Sequence, residues 1–276
     1  MSAPRVLVLG ASGRLGGMLQ RHWQKAALRP RWQYRHPVAR PDIAVFDPLC
    51  PSPADLADLG AVDVVLGLAG VTPGRGDLGL NTPLARAALQ IGAQSGAARV
   101  FLTSSAAVYG PADTALHEDT VLRPQSAYGQ AKAAMEIAIG TYGPAHTVLR
   151  IGNVAGADAL LDQPGAARVL DRFAAGHGPL RSYIDPVSFA EILAGLITLA
   201  AQRRPLPRRL NFALPGAVAM DDLCAAAGLD VTWRTAPPEA LARVELDVSR
   251  LQRLLPLPAA DPVQIVAQWR TDRALM

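Results

Sequence analysis

Short apolar runs alternate with amphipathic stretches through the first half of the chain. Residues 5–9, Arg-Val-Leu-Val-Leu, read as a buried strand, and the glycine-rich turn at 10–16 leads into a helix reaching about residue 25. Further strands are predicted over 32–35, over 42–46 ending in Asp47, and over 62–70, the last apolar on both faces as central parallel strands are. Between them, Pro51-Ser52-Pro53-Ala54-Asp55 opens a short helix with the serine as cap and a proline at its first position. Residues 71–80 hold three glycines and a proline and form a loop, after which 81–94 is a helix capped by Asn81 or Thr82. A fifth strand over 99–103 delivers Ser104 and Ser105 to the C-terminal edge of the sheet, and the stretch around 128–132 is helical. This alternation from 5 to 152 predicts a doubly wound α/β domain built on a parallel sheet.

Beyond residue 153 the pattern is less regular. Ser188-Phe189-Ala190-Glu191 reads as a capping box before an apolar helix to about residue 201. Strands follow over 210–214 and 231–234. Helices are expected over 219–227, from 246 onward, and in a last segment ending near Trp269. The expected division is a nucleotide-binding domain over 1–152, joined by 181–214, and a small substrate-binding subdomain from 153–180 and 215–276.

Composition narrows the class. At 276 residues the chain can bury a full core, and no apolar run approaches the roughly 18 residues of a membrane span. No signal peptide is visible. Cys50 and Cys224 are isolated, which argues against a disulfide framework or a zinc site and for a reducing cytoplasm. The net charge of +4 comes from dispersed arginines without interleaved aromatics, so an anionic small ligand is expected rather than nucleic acid. The five histidines lie on different elements without ligand spacing and read as surface or structural residues. Arg203, Arg204, Arg208 and Arg209 around two prolines read as a solvated linker.

The candidate chemistry lies on the first half. Gly10, Gly13 and Gly16 stand between a strand and a helix, where backbone amides and the helix N-terminus can meet a pyrophosphate, with Ser12, Arg14 and Leu15 in the same turn. Where an acidic residue would take the ribose hydroxyls of NAD, the chain has Tyr34-Arg35-His36; Arg35, helped by Arg14, favours the 2′-phosphate of NADP over NAD. Asp47 is a candidate adenine contact. Tyr128 and Lys132, four apart on a helix, lie on one face, and a nearby ammonium favours the phenolate. Only Lys25 and Lys132 are lysines among 27 basic residues, which marks Lys132 as needing a compact, rotatable charge.

Gly10-x-x-Gly13-x-x-Gly16, Asp47, Leu68-Ala69-Gly70, Asn81, Ser104-Ser105-Ala106-Ala107-Val108-Tyr109-Gly110, Tyr128-x-x-x-Lys132 and Leu149-Arg150-Ile151-Gly152-Asn153-Val154 come in that order. Together they resemble an extended short-chain dehydrogenase/reductase, and more narrowly the NAD-dependent epimerase/dehydratase group that includes nucleotide-sugar epimerases. The resemblance implies a Rossmann fold in which the three glycines cradle the dinucleotide, Asp47 meets the adenine, and Ala69 and Gly70 line the cofactor pocket. It implies that Ser105 polarises the substrate oxygen, Tyr128 moves its proton, and Lys132 binds the nicotinamide ribose and lowers the tyrosine pKa. Asn81 is implied as a cofactor contact and Asn153 as a substrate contact; Thr72 and Arg181 join as substrate candidates. A homodimer through the helices starting near Asn81 and Tyr128 is also implied. The chain departs from the pattern after Asn153, where Val154-Ala155-Gly156-Ala157 follows, and at Asp185, Val187 and Ser188.

The expected activity is metal-free, NAD(P)-dependent chemistry at a hydroxyl or keto carbon of a sugar-like substrate. The motifs favour an epimerase or dehydratase. The non-acidic Tyr34-Arg35 and the short substrate segment favour an NADP-dependent reductase of a smaller carbonyl compound. A non-enzymatic dinucleotide sensor would not need Ser105, Tyr128 and Lys132 together.

Overall fold

A computed structural model describes residues 2–163, 165–174 and 176–276. The chain opens with β1 (Arg5–Leu9), α1 (Arg14–His22), β2 (Arg29–Tyr34), β3 (Ile43–Val45), α2 (Pro53–Asp58) and β4 (Val64–Gly67). It continues through α3 (Asn81–Gln94), β5 (Arg99–Ser105), α4 (Ala127–Ile139), β6 (His146–Ile151) and β7 (Asn153–Val154). The remainder holds β8 (Ala167–Arg172), β9 (Leu180–Arg181), β10 (Tyr183–Ile184), α5 (Pro186–Ala201), β11 (Arg209–Phe212) and β12 (Val218–Ala219). It ends with α6 (Met220–Ala227), β13 (Asp230–Thr235), β14 (Arg243–Val244), α7 (Ser249–Gln252) and α8 (Pro262–Arg273).

Seven strands form one sheet in the order β11-β6-β5-β4-β1-β2-β3, with every pair parallel. The doubly wound Rossmann-type α/β fold expected from the alternation is present. Side chains along a strand alternate between faces, so each central strand feeds two cores. Val6 and Val8 of β1 join α1, α5 and α8, whereas Leu7 and Leu9 join α3 and α4. The order reverses between β1 and β4, and ligands of open parallel sheets bind beyond the strand C-termini at such a point.

Several boundaries differ from the sequence reading. β2 begins at Arg29, three residues before the predicted 32, because Arg29–Trp32 pair with residues 5–8 of β1. β4 stops at Gly67, so residues 68–70 leave the sheet as part of the loop rather than extending the strand. Asn81 does not cap α3: the cap position is Leu80, without a side-chain bond. Ser188 does not cap α5 either. Asp185 does, its carboxylate accepting from the Ser188 amide (2.8 Å), because Pro186 already occupies the first helical position. β8 was not predicted; it pairs in parallel with β13, away from the main sheet. The helix expected from 246 is only the short α7, and α8 extends past Trp269 to Arg273. Among the described residues no helix is long and apolar enough to cross a membrane.

The last helix is tied to the first. Asp272 of α8 is fully buried and accepts from Arg21 Nε (2.8 Å) and Nη2 (2.7 Å), with His22 Nε2 at 2.9 Å. The Trp23 indole N–H, just after α1, donates to the Ala190 carbonyl of α5 (2.9 Å), so the C-terminal end of α1 is held by α5 and α8. Removing one partner of a buried ion pair strands the other charge. Asp272→Ala is therefore expected to destabilise the protein by about 3–5 kcal/mol, read as a lower urea midpoint at unchanged slope.

Candidate functional site

The glycine turn owes its shape to contacts that no side chain could share. Gly10 has φ +76°, and a β-carbon there would stand 2.6 Å from the Ala69 backbone. One at Gly16 would meet the Ala11 carbonyl oxygen at 2.3 Å. The turn is thus pressed between α1 and the loop after β4. Gly13 takes the cap position of α1 without a side-chain bond, leaving the first amides of the helix facing the sheet edge, as an anion requires. Gln33 braces the turn from beneath. Its Oε1 accepts from the Gly10 amide (2.9 Å) and its Nε2 donates to the Phe46 carbonyl, a role the sequence reading missed. No signal in the sequence marked it, because β2 reads Arg-Pro-Arg-Trp-Gln-Tyr and a further polar residue does not stand out there.

Ser12, Gly13 and Arg14 are exposed, and Leu15 is half-buried. Arg14 pairs with Asp162, which comes from the loop after β7. Arg35 is exposed just beyond β2. Asp47 is exposed just beyond β3, its carboxylate accepting from the Leu49 amide (2.9 Å). The edge of the sheet therefore carries both candidates for the adenosine end.

The loop after β4 is held by Asn81. This side chain is 1% exposed; its Oδ1 accepts from the Val71 amide (3.1 Å), and its Nδ2 donates to the carbonyls of Val71 (3.0 Å) and Leu78 (2.9 Å). Those three bonds use the amide that the family resemblance implied would touch cofactor. Half-buried Thr72 lies in the same loop. Gly70 lies where a β-carbon would approach Asn81 Oδ1 to 3.0 Å and Lys132 Nζ to 3.3 Å. Ala69, Gly70, Asn81 and Lys132 thus share one wall.

Ser105 ends β5 and starts a 3-10 turn, its Oγ accepting from the Ala107 amide (3.2 Å). The Ser126 hydroxyl caps α4 through the Gly129 amide (3.1 Å). A β-carbon on Gly129 would lie 2.1 Å from the Ala107 carbonyl oxygen, so this glycine lets α4 seat directly on the turn and sets Tyr128 beside Ser105. Burial pushes the Tyr128 phenol above its ordinary value, and a hydrogen bond with the Ser105 hydroxyl opposes it. The phenol is therefore not drawn toward neutral pH as the Tyr-Lys spacing predicted. Lys132 Nζ instead donates to the Thr103 carbonyl (2.9 Å) and stands 5.9 Å from the centre of the Tyr128 ring. Burial brings the ammonium down to about 8, against the attraction of Glu136.

On the opposite side, half-buried Asn153 opens β7, which pairs with β10. The Tyr183 hydroxyl donates to Asp158 Oδ2 (2.7 Å). Arg181 is turned away, donating to the carbonyls of Leu180 and Leu241 at 2.8 Å each, beside a cleft of about 520 Å³ lined by Arg172, Phe173, Pro237 and Pro238. The structure thus gathers the glycine turn, Ala69, Gly70, Asn81, Ser105, Tyr128 and Lys132, but not Arg181. The exposed Arg203–Arg209 cluster stands at the N-terminal edge of β11, where Arg208 donates to the Gly140 carbonyl.

The model of the NAD dependent epimerase/dehydratase family matches residues 6–183. No curated protein sequence matches the chain. Among solved structures, a UDP-N-acetylglucosamine 4-epimerase from Methanobrevibacter ruminantium M1, in complex with UDP-N-acetylmuramic acid, superposes with a TM-score of 0.77 at 19% identity over 100% of both chains. A NAD dependent NDP-hexosamine 5,6-dehydratase involved in tunicamycin biosynthesis gives 0.75 at 20% identity over 99% of both. MoeE5 in complex with UDP-glucuronic acid and NAD gives 0.74 at 22%, covering 98% of this chain and 99% of that one. At these identities the likeness establishes the fold.

The seating of α4 is open to test. Gly129→Ala is expected to cost about 1–3 kcal/mol through overpacking in urea denaturation. Gly17→Ala, whose new carbon would meet nothing closer than 3.4 Å, serves as the near-neutral control.

Proposed function

We propose, from the premise that the chain belongs to the NAD dependent epimerase/dehydratase family and is an enzyme of the extended short-chain dehydrogenase type, that it acts at a hydroxyl or keto carbon of a sugar-like substrate. The observation that carries this reading is Ser105 hydrogen-bonded to Tyr128, with Lys132 Nζ 5.9 Å from the tyrosine ring and beside Gly70, whose neighbour Ala69 abuts the glycine turn at Gly10. The residues fit a dinucleotide. Gly10, Gly13 and Gly16 leave backbone room for a pyrophosphate, with Ser12 and Leu15 in the same turn, and Lys132 offers donors to a ribose from the opposite wall. NAD, when bound, supplies reversible two-electron exchange with the substrate carbon.

The chain's own groups then handle the proton. Tyr128 gives a proton to, or takes one from, the substrate oxygen, and the Ser105 hydroxyl holds that oxygen in line. Because burial favours the neutral phenol, Tyr128 starts as the acid, the form suited to reducing a carbonyl. Thr72 and Asn153 face the substrate in this reading, and the segments 153–180 and 215–276 carry its distal part. Asp47 takes the adenine.

A second reading rests on a separate observation. Arg35 is exposed at the end of β2 with no acidic residue beside it in sequence, whereas Arg14 is engaged with Asp162. A preference for NADP would therefore rest on Arg35. With Arg181 held by backbone carbonyls, a substrate smaller than a nucleoside-diphosphate sugar, reduced with exchange of the dinucleotide, is the chemistry that goes with it. Denaturing the purified protein and identifying released dinucleotide by mass separates the two. Stoichiometric NAD supports internal recycling; an empty protein that binds NADPH above NADH, with the preference lost in Arg35→Ala, supports the reductase.

Tyr128→Phe is expected to lower turnover by about 10²–10⁴-fold while dinucleotide affinity, measured by fluorescence titration, is retained. The ammonium of Lys132 loses its proton as pH rises through about 8. Dinucleotide affinity should accordingly fall above that pH, and Lys132→Met should bind weakly at every pH without this inflection.

A further inference from the structure

Two consecutive residues at the end of β5 are gripped by two residues one turn apart on α4. Lys132 Nζ donates to the Thr103 carbonyl (2.9 Å), and the Ser104 hydroxyl donates to Glu136 Oε1 (2.6 Å). Glu136 is in turn fixed by Arg150 of β6, through Nη2 to Oε2 at 2.7 Å and Nε to both oxygens at 3.1 and 3.2 Å. The guanidinium and the carboxylate are 1% and 6% exposed. Residues four apart on a helix stand over one another, so this immobilised carboxylate lies one turn beneath the lysine.

We propose that Glu136 is a positioning residue, whose carboxylate, oriented by Arg150 and Ser104, holds the Lys132 ammonium charged and aimed at the wall shared by Thr103, Gly70 and Tyr128. The inference rests on the reading of Lys132 as a dinucleotide ligand for its functional meaning, but not for its physics. The groups facing the ammonium are the Tyr128 phenol and Glu136 on its own helix, the Thr103 carbonyl of β5, and Gly70 from the loop after β4. Behind Glu136 stand Arg150 and, bonded to that guanidinium at 2.8 Å, the Tyr109 hydroxyl. Glu136 is the one negative charge in this set. Burial alone works against a charged lysine, and Glu136 works for it.

Arg150 has two opposed effects. It orients Glu136, and its own positive charge offsets part of the attraction that Glu136 exerts on Lys132. Loss of Glu136 should consequently lower the lysine pKa, whereas loss of Arg150 acts on it through the charge and orientation of the carboxylate left behind. A merely structural role would loosen the site while leaving the titration of the lysine where it is.

The scarcity of lysine makes the measurement direct. Protein carrying 13C at the lysine ε-carbon, free of dinucleotide, gives two side-chain signals, with exposed Lys25 as internal control. Lys132 is expected to titrate near pH 8 in the parent protein. The expected shift is about one unit lower in Glu136→Gln. Should Glu136→Gln fail to fold, combining it with Arg150→Met removes the buried pair as a unit, and Lys132 should still titrate below the parent. An unmoved or raised Lys132 signal in folded Glu136→Gln, or in the double variant where that one does not fold, would overturn the proposal. If the shifts appear but Lys132→Met keeps full dinucleotide affinity and turnover, the functional reading of Lys132 falls and the role of Glu136 toward the ammonium stands.

Discussion

The placement of α4 on the C-terminal end of β5 is the contact on which the rest of the molecule depends. It is made by polar groups in an otherwise apolar layer. A buried carboxylate is tolerable only with its charge matched and its lone pairs filled, and Glu136 meets both conditions through Arg150 and Ser104. Any other register of α4 against β5 and β6 would leave one of those groups unpaired. The same guanidinium reaches the Tyr109 hydroxyl and the Glu118 carbonyl at 2.8 Å each, and the Tyr109 hydroxyl donates a hydrogen bond to Asn211 Oδ1 (2.8 Å) in β11. Fully satisfied networks of this kind favour a single arrangement. Here that arrangement joins β5, β6, β11 and α4 around Ser104, the residue before the end of β5.

The half that carries the glycine turn is fixed from the other side. α1 is anchored by Asp272 and by the bond from Trp23 to the Ala190 carbonyl, so α5 and α8 both bear on the element that starts at the glycine turn. Gln33 supports the turn from inside the sheet, and Gln20 ties α1 to the Ala11 carbonyl (2.9 Å). Glycines at 10 and 16 bring backbone to backbone; these side-chain bonds keep it there.

The segments after β6 are organised differently. Arg168, 5% exposed, donates to the carbonyls of Leu160, Gln163, Gly165 and Ala167, and Arg181 donates to those of Leu180 and Leu241. Paired strands of two residues supply few ladder bonds, so guanidinium-to-carbonyl bonds hold the irregular backbone together. Two arginines that could have met an anionic ligand are thereby committed to structure.

Much of the fold is local information. Central strands must be apolar on both faces, so 5–9 and the strands after it stand out as runs. The glycine turn stands out because nothing larger fits, and Tyr128 and Lys132 because helical spacing alone puts them on one face. What the sequence could not reveal depends on residues far away along the chain. β8 is a strand only because β13 lies beside it. Arg14 has an ion-pair partner 148 residues on, and Asn81 is neither a cap nor a free amide because a loop folds back onto it. The proton affinities of Tyr128 and Lys132 belong here too. Motif spacing brings a phenol near an ammonium, but the depth at which α4 packs decides how much water each retains, and that desolvation shifts both groups toward their neutral forms.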